Sequence, residues 1–434
     1  MSENEKITND QIKKRKSFDG LTEIFNRQGF ISAVDKLLEE NQEERVMVVM
    51  NVRNFKMINH LFGVPKGDSI LIDIANILKE RQEYGDICGR FHSDRFGIFM
   101  TRDSWEQHPF EDQVEKIQSL INSQEYHLDL VVGVYFVKND SDTVYEIIEK
   151  ALLAMRTQRQ SSDTSFHFYS ENMFNKAKHK EEVIAEFDDA LENDEFLLFL
   201  QPQFTADGEL VGTEALARWD KKHSGEILPP SRFIDILEST KRIHRLDQYI
   251  WEKAVKQLKA WENTKFKDLS ISVNISPEDF DSINIENYFR KLHDQYKFDV
   301  KKLHIEITEN ALISSPVKFE NFVNAMKESG FVLELDDFGS GYSSLNVLKN
   351  INVDTIKLDM VFVRGLKGDE KAQIILKSVI DMIKRLGMEI IVEGLETRGQ
   401  LETIETMGDV LYQGYYFSKP LQVSVFEEKY GKDL

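Results

Sequence analysis

Cysteine, long apolar runs and a surplus of positive charge are scarce in this 434-residue chain. Its single cysteine, Cys88, excludes an intrachain disulfide and suits a reducing compartment, so a cytoplasmic location is the expectation. The longest purely apolar stretches, such as VMVVM at 46–50, fall far short of the roughly 18 residues that a membrane span needs. The N-terminus, MSENEKITNDQIKKRKSFDG, lacks the apolar segment of a signal peptide, and its Lys13–Lys16 cluster reads as a solvated stretch. Net charge is −20, with 28 acidic against 21 basic residues in 1–170 and 47 against 34 beyond. Neither half has the basic excess of a general nucleic-acid binder, and no DNA partner is expected. An acidic protein still handles a phosphate substrate where bound cations reverse the field locally.

The chain is longer than one hydrophobic core usually supports, so two domains are expected. From residue 196 it alternates short apolar stretches with segments whose apolar residues recur at three and four. The short stretches are FLLFLQP (196–202), LVGTEALARW (210–219), LSISVNIS (269–276), LHIEIT (303–308), FVLELDDF (331–338), DTIKLD (354–359), EIIVEG (389–394) and VLYQGYYF (410–417). Between them lie helical patterns such as DQYIWEKAVKQLKAWEN and KAQIILKSVIDMIKRLG, the latter stopping at Gly387. Eight strands with intervening helices over some 240 residues predict an α/β fold with a TIM-like (β/α)8 barrel.

Polar residues sit at or near the ends of these stretches: Gln201, Glu214, Asn274, Glu306, Asp336, Asp337, Lys357, Asp359, Glu393 and Gln413. Any one alone reads equally well as a strand-edge residue in solvent; recurrence on nearly every strand argues for convergence on one barrel mouth. Six carboxylates in one pocket raise one another's pKa, a conflict that divalent cations relieve. All-oxygen donors with the Asn274 amide suit Mg²⁺ or Mn²⁺, and adjacent Asp336 and Asp337 point to two ions, the arrangement that recurs in phosphodiester hydrolysis. The sequence has no cysteine and histidine spacing of a structural zinc site.

EAL at 214–216, VNIS at 273–276, EITE at 306–309, DDFGSGYSSL at 336–345, IKLD at 356–359, VEGLET at 392–397 and QGYYFSKP at 413–420 together resemble the EAL-domain family, bacterial phosphodiesterases that hydrolyse cyclic di-GMP to linear pGpG. The resemblance implies a barrel whose first strand runs antiparallel to the rest. It implies Glu214, Asn274, Glu306 and Asp336 as ligands of a first metal, with Asp336 bridging to a second held by Asp337, Glu393 and Asp359. Lys357 would hold the attacking water or the developing charge, and Glu309 would steady the loop that carries Gly339 and Gly341. Gln201, Leu216, Arg218 and Gln413 would contact the ligand, with the Arg218 fork matched to phosphate. Asp279 stands where the family often has glutamine, and beside Pro277 it reads as helix-start chemistry.

FDGLTEIFNRQGF at 18–30, NVRNFKMINHLFGVPKGDSIL at 51–71 and GRFHSDRFGIF at 89–99 resemble GGDEF domains, which make cyclic di-GMP from GTP. That resemblance implies an α/β domain with a central sheet, here with the cyclase residues replaced. His92, Ser93, Asp94, Arg95 and Phe96 occupy the signature, so side chains stand where glycines would admit the nucleotide and Arg95 replaces an acidic metal ligand. Asn51 and Arg53 take the places of further acidic positions, and Glu83 stands where an arginine should precede Asp86. Cyclase activity is therefore not expected. Asn59 and Asp68 match guanine-contacting positions, which leaves two readings: a GTP-binding regulatory module, or a scaffold that packs and forms a homodimer. The expected organisation is a tail at 1–15, a degenerate GGDEF-like domain at 16–170 and a phosphodiesterase domain at 171–434. Alternatives to the hydrolase are a non-catalytic cyclic di-GMP receptor and a barrel metallohydrolase of another phosphodiester.

Overall fold

The structure, a computed structural model, describes residues 17–40, 43–122, 129–138, 141–156, 165–309, 311, 316–339, 348, 351–366 and 368–431. Contacts divide the chain into two compact units, Met1–His179 and Lys180–Leu434, the division falling within the helix Glu171–Glu192.

In the first unit, strands β1 (Phe25–Asn26), β2 (Arg45–Val52), β3 (Ile87–His92), β4 (Arg95–Thr101), β5 (Leu130–Phe136) and β6 (Ser165–Phe168) form one sheet in the order β1-β3-β4-β2-β5-β6. Strand β2, RVMVVMNV, is apolar without interruption from Val46 to Met50 because both of its faces are covered. Val46, Val48 and Met50 pack into one core, and Met47 and Val49 into a second on the opposite face, as the two-residue strand period requires. The expected α/β domain with a central sheet is what the chain forms.

The second unit closes a barrel. Strands β7 (Phe196–Phe204), β8 (Leu210–Lys221), β10 (Ser270–Ile275), β11 (Leu303–Thr308), β12 (Val332–Phe338), β13 (Thr355–Leu358), β14 (Glu389–Val392) and β15 (Leu411–Tyr412) correspond to the eight predicted stretches. Pairing runs β7-β15-β14-β13-β12-β11-β10-β8, and β8 returns to β7. Strand β7 is antiparallel to both of its barrel neighbours, while β8 to β15 pair in parallel along the wall. Short strands β9 (Glu226–Leu228) and β16 (Leu421–Gln422) extend the sheet. Along β10 and β11, Ile271, Val273, Ile275, Leu303, Ile305 and Ile307 are buried in the core, and the alternate positions Ser272, Asn274, His304 and Glu306 face the barrel interior. Period-two patterning thus delivers polar groups to the inside of an otherwise apolar wall.

Candidate active site

Lys357, fully buried on β13, is the centre of the barrel mouth. Its Nζ lies 2.8 Å from Glu393 Oε1, 3.0 Å from Glu306 Oε2, 3.2 Å from Asp336 Oδ1 and 3.5 Å from Glu214 Oε2. Burial alone would lower the lysine pKa, but Asp336, Glu214, Glu306 and Glu393 outweigh it and hold the ammonium form well above its usual range. The carboxylates remain under-compensated. Burial, with Glu214 beside it, pushes Glu306 well up. Burial pushes Glu393 to about 8, Lys357 opposing and Asp336 and Glu214 adding to the rise. Asp337 rises to about 6 through burial and then through Asp336 and Asp359.

Each of these side chains has a local reason for its position. Glu214 on β8 lies opposite Gln201 of β7, and its Oε1 accepts from Asn274 Nδ2 at 3.0 Å. Asn274, next to last in β10, stands opposite Glu306, its carbonyl held by Trp251 Nε1 at 2.9 Å. Gln413 follows β15, anchored by its N–H to the Val392 carbonyl at 2.9 Å, and its Nε2 donates to Glu214 Oε2. Asp336 and Asp337 are adjacent, and in a regular strand they would point to opposite faces. The register between β12 and β13 shifts between Leu335 and Phe338, and Asp337 takes a φ of 57°. This bulge turns the second carboxylate onto the same side as the first, so that Asp336, Asp337 and Glu393 each offer an oxygen within 4.8 Å of the others. Gly339, with a φ of 99°, continues the turn where a Cβ would lie 2.0 Å from the Phe362 ring. Gly341 lies outside the described residues.

The remaining sequence candidates are placed around this network. Glu309 is buried one residue beyond β11. Asp359 commits Oδ1 to the Val361 N–H at 2.7 Å, capping the turn Met360–Phe362. Leu216 and Arg218, half-buried, continue the same strand face as Glu214. Arg218 stacks 5.4 Å from the Phe199 ring centroid and donates to the Ala217 carbonyl, and burial lowers its pKa from the usual guanidinium value. Asp279 does begin a helix and accepts from the Ser276 N–H at 3.0 Å, but it is fully buried and hydrogen-bonded to a second carboxyl, Asp247. Three polar residues of the barrel interior escaped sequence reasoning: buried Gln203 and Glu334, and half-buried His304, whose Nδ1 lies 2.6 Å from Glu334 Oε1. Each stands two residues from a recognised candidate, namely Gln201, Asp336 and Glu306, and that spacing was the available signal.

The donor set fits divalent cations. It is all oxygen, it carries more negative charge than Lys357 balances, and Glu306 Oε1 is buried without a hydrogen-bond partner among the described residues. The signature residues of the first unit have other surroundings. His92, the last residue of β3, and Ser93, in the two-residue turn to β4, are exposed, Ser93 with a φ of 41°, and Asn51 pairs opposite Arg95. Asp86 is buried against Arg81, with Arg81 Nε 2.7 Å from Asp86 Oδ2. Asn59 Oδ1 packs over Gly67, where a Cβ would lie 2.0 Å away.

A closed barrel with one reversed strand and an acidic mouth built around a buried lysine defines the class of the second unit. The chain belongs to the EAL domain family, which residues 184–420 match; residues 16–165 match the diguanylate cyclase, GGDEF domain. Cyclic di-GMP phosphodiesterase NbdA of Pseudomonas aeruginosa is 27% identical over 96% of this chain and 54% of its own. A solved structure, PaMucR phosphodiesterase in complex with c-di-GMP, superposes with a TM-score of 0.54 at 26% identity, over 56% of this chain and 99% of that one. The S helix-GGDEF-EAL segment of Vibrio cholerae LapD, bound to c-di-GMP, shares the fold at 21% identity with a TM-score of 0.52, over 95% of this chain and 98% of that one. The chain spans 53% to 61% of the length of the first curated relatives it matches. Among the described residues, no helix is long and apolar enough to cross a membrane.

Proposed function

We propose that the barrel hydrolyses cyclic di-GMP to linear pGpG with two Mg²⁺ or Mn²⁺ ions, and that the GGDEF-like module at 16–170 regulates or dimerises the protein without cyclase activity. The observation that carries this reading is the charge imbalance: Lys357 faces four carboxylates within 3.5 Å. Glu214, Asn274, Glu306 and Asp336 would hold one ion, and Asp336, Asp337, Asp359 and Glu393 the other. Such ions supply a nucleophile at neutral pH and neutralise phosphate oxygens.

The chain's own groups do the rest. Lys357 presents a permanent positive charge to the charge that develops as the water oxygen joins phosphorus and one bridging P–O bond breaks. Arg218, pre-stacked on Phe199, offers its guanidinium to a phosphate, while Gln201, Leu216 and Gln413 line the approach. Glu309 would steady the segment 336–345, most of which lies outside the described residues. The module keeps Asn59 and Asp68 as the residues through which GTP would bind, and a homodimer is the assembly proposed for it.

The test is incubation of purified protein with cyclic di-GMP and Mg²⁺ or Mn²⁺, with EDTA as control, followed by chromatographic separation. Metal-dependent pGpG is the expected result. Tight binding of intact cyclic di-GMP without product, in folded and metal-loaded protein, would replace the hydrolase with a receptor.

A further inference from the structure

Gln203 lies outside the acidic cluster, yet at 2% exposure it is among the most deeply buried polar residues of the barrel. It follows Gln201 by two residues on β7, so both side chains point inward. Gly212 of β8 stands opposite it on one side. On the other, the pairing of Tyr412 with Phe204 sets Gln413 beside it. Gln203 Nε2 donates to Gln413 Oε1 at 3.0 Å. Gly212 leaves the room this needs, because a Cβ there would lie 2.8 Å from Gln203 Oε1.

A side-chain amide has two chemically opposite ends. With Gln413 Oε1 engaged as an acceptor, Nε2 is the end left for Glu214, and it donates to Oε2. Asn274 Nδ2 holds the other oxygen of the same carboxylate. Turned over, the Gln413 amide would set its carbonyl against the Glu214 carboxylate, acceptor facing acceptor in a water-poor site.

We propose that Gln203 is a positioning residue: it fixes which end of the Gln413 amide meets Glu214, and so orients that carboxylate towards a divalent cation. The inference rests on the proposed function for its cation. Partners that orient a ligand are typically worth 10–100-fold in metal affinity or activity.

The experiment is calorimetric titration of the full chain with Mn²⁺. Gln203→Met preserves length and removes the donor; it is expected to weaken Mn²⁺ binding about tenfold. Gln413→Met should lose a similar amount, and the double variant little more, because the first residue acts through the second. Gln203→Asn, which keeps the amide but shortens its reach, should repeat the loss and carries the test if Gln203→Met does not fold. Unchanged affinity in a folded Gln203 variant, or losses that simply add in the double variant, would overturn the inference. A wild-type chain that binds Mn²⁺ but leaves cyclic di-GMP intact would refute the hydrolase alone, and one that takes up no Mn²⁺ would overturn both.

Discussion

Each unit buries a cation beside acidic groups, and the two clusters are balanced differently. In the first unit Arg81 is fully buried: its Nε meets Asp86, and its Nη1 donates to the His108 carbonyl at 2.9 Å and to Gln113 Oε1 at 2.8 Å. Asp86 in turn accepts from Ser104 Oγ at 2.9 Å. One cation answers one carboxylate, and the surrounding dipoles complete the shell. In the barrel Lys357 faces Glu393, Glu306, Asp336 and Glu214, with Asp337 close by. Two clusters of similar burial therefore differ in whether the protein alone neutralises them. A balanced buried pair is what structure requires; an excess of carboxylates costs stability, and its retention makes sense where a ligand supplies the missing charge.

Substitution of the two cations breaks the comparison most sharply. Lys357→Ala should lower hydrolysis by at least about 10²–10³-fold. It should also destabilise the metal-free barrel by about 3–5 kcal/mol, because it strands buried carboxylates. Added Mn²⁺ should recover part of that loss in a thermal melt. Arg81→Met should cost a similar 3–5 kcal/mol in the first unit, and Mn²⁺ should leave that loss in place. Equal metal rescue of both variants would erase the distinction drawn here.

A smaller effect comes from the Asp247–Asp279 carboxyl pair, which meets at Ser276 just beyond β10. Burial raises both groups: Asp279 goes to about 7, with the Asp247 hydrogen bond opposing the rise, and Asp247 goes well above the usual carboxylate range, with Asp279 adding to it. The folded state then holds protons that the unfolded chain releases, so the contribution is full below about pH 4 and is lost as pH rises towards about 7. Asp279→Asn should flatten that slope, by about 1.4 kcal/mol per pH unit for each proton removed; denaturant titrations across the window measure it. The smallest change is expected at Ser93, whose φ of 41° suits glycine: Ser93→Gly should stabilise the first unit by about 0.5 kcal/mol, the relief of strain being offset by chain entropy. It should produce no cyclic di-GMP from GTP.

The barrel was legible because each strand is a bounded apolar stretch with polar groups on the inward period, as in β10 and β11. The reversal of β7 was not, since spacing carries no direction; it followed only from family resemblance, and the pairing of β7 with β8 and β15 bears it out. Sequence adjacency of Asp336 and Asp337 hid a difficulty that only a bulge resolves, and a bulge is a matter of backbone conformation. Asp359 looked like one more carboxylate at a strand end, yet one of its oxygens caps a turn, a use that the residue type shares with metal ligation. Gln203 was passed over because a glutamine without charge stands out little, although its two-residue spacing from Gln201 marked it as inward.

Equilibrium dialysis against Mn²⁺, with wild type and Glu214→Ala side by side, tests the central claim most directly. Two ions retained per wild-type chain, with at least one lost in Glu214→Ala, is the predicted result. Equal retention in both proteins, or none in either, would contradict the account of a barrel mouth built to be neutralised by metal.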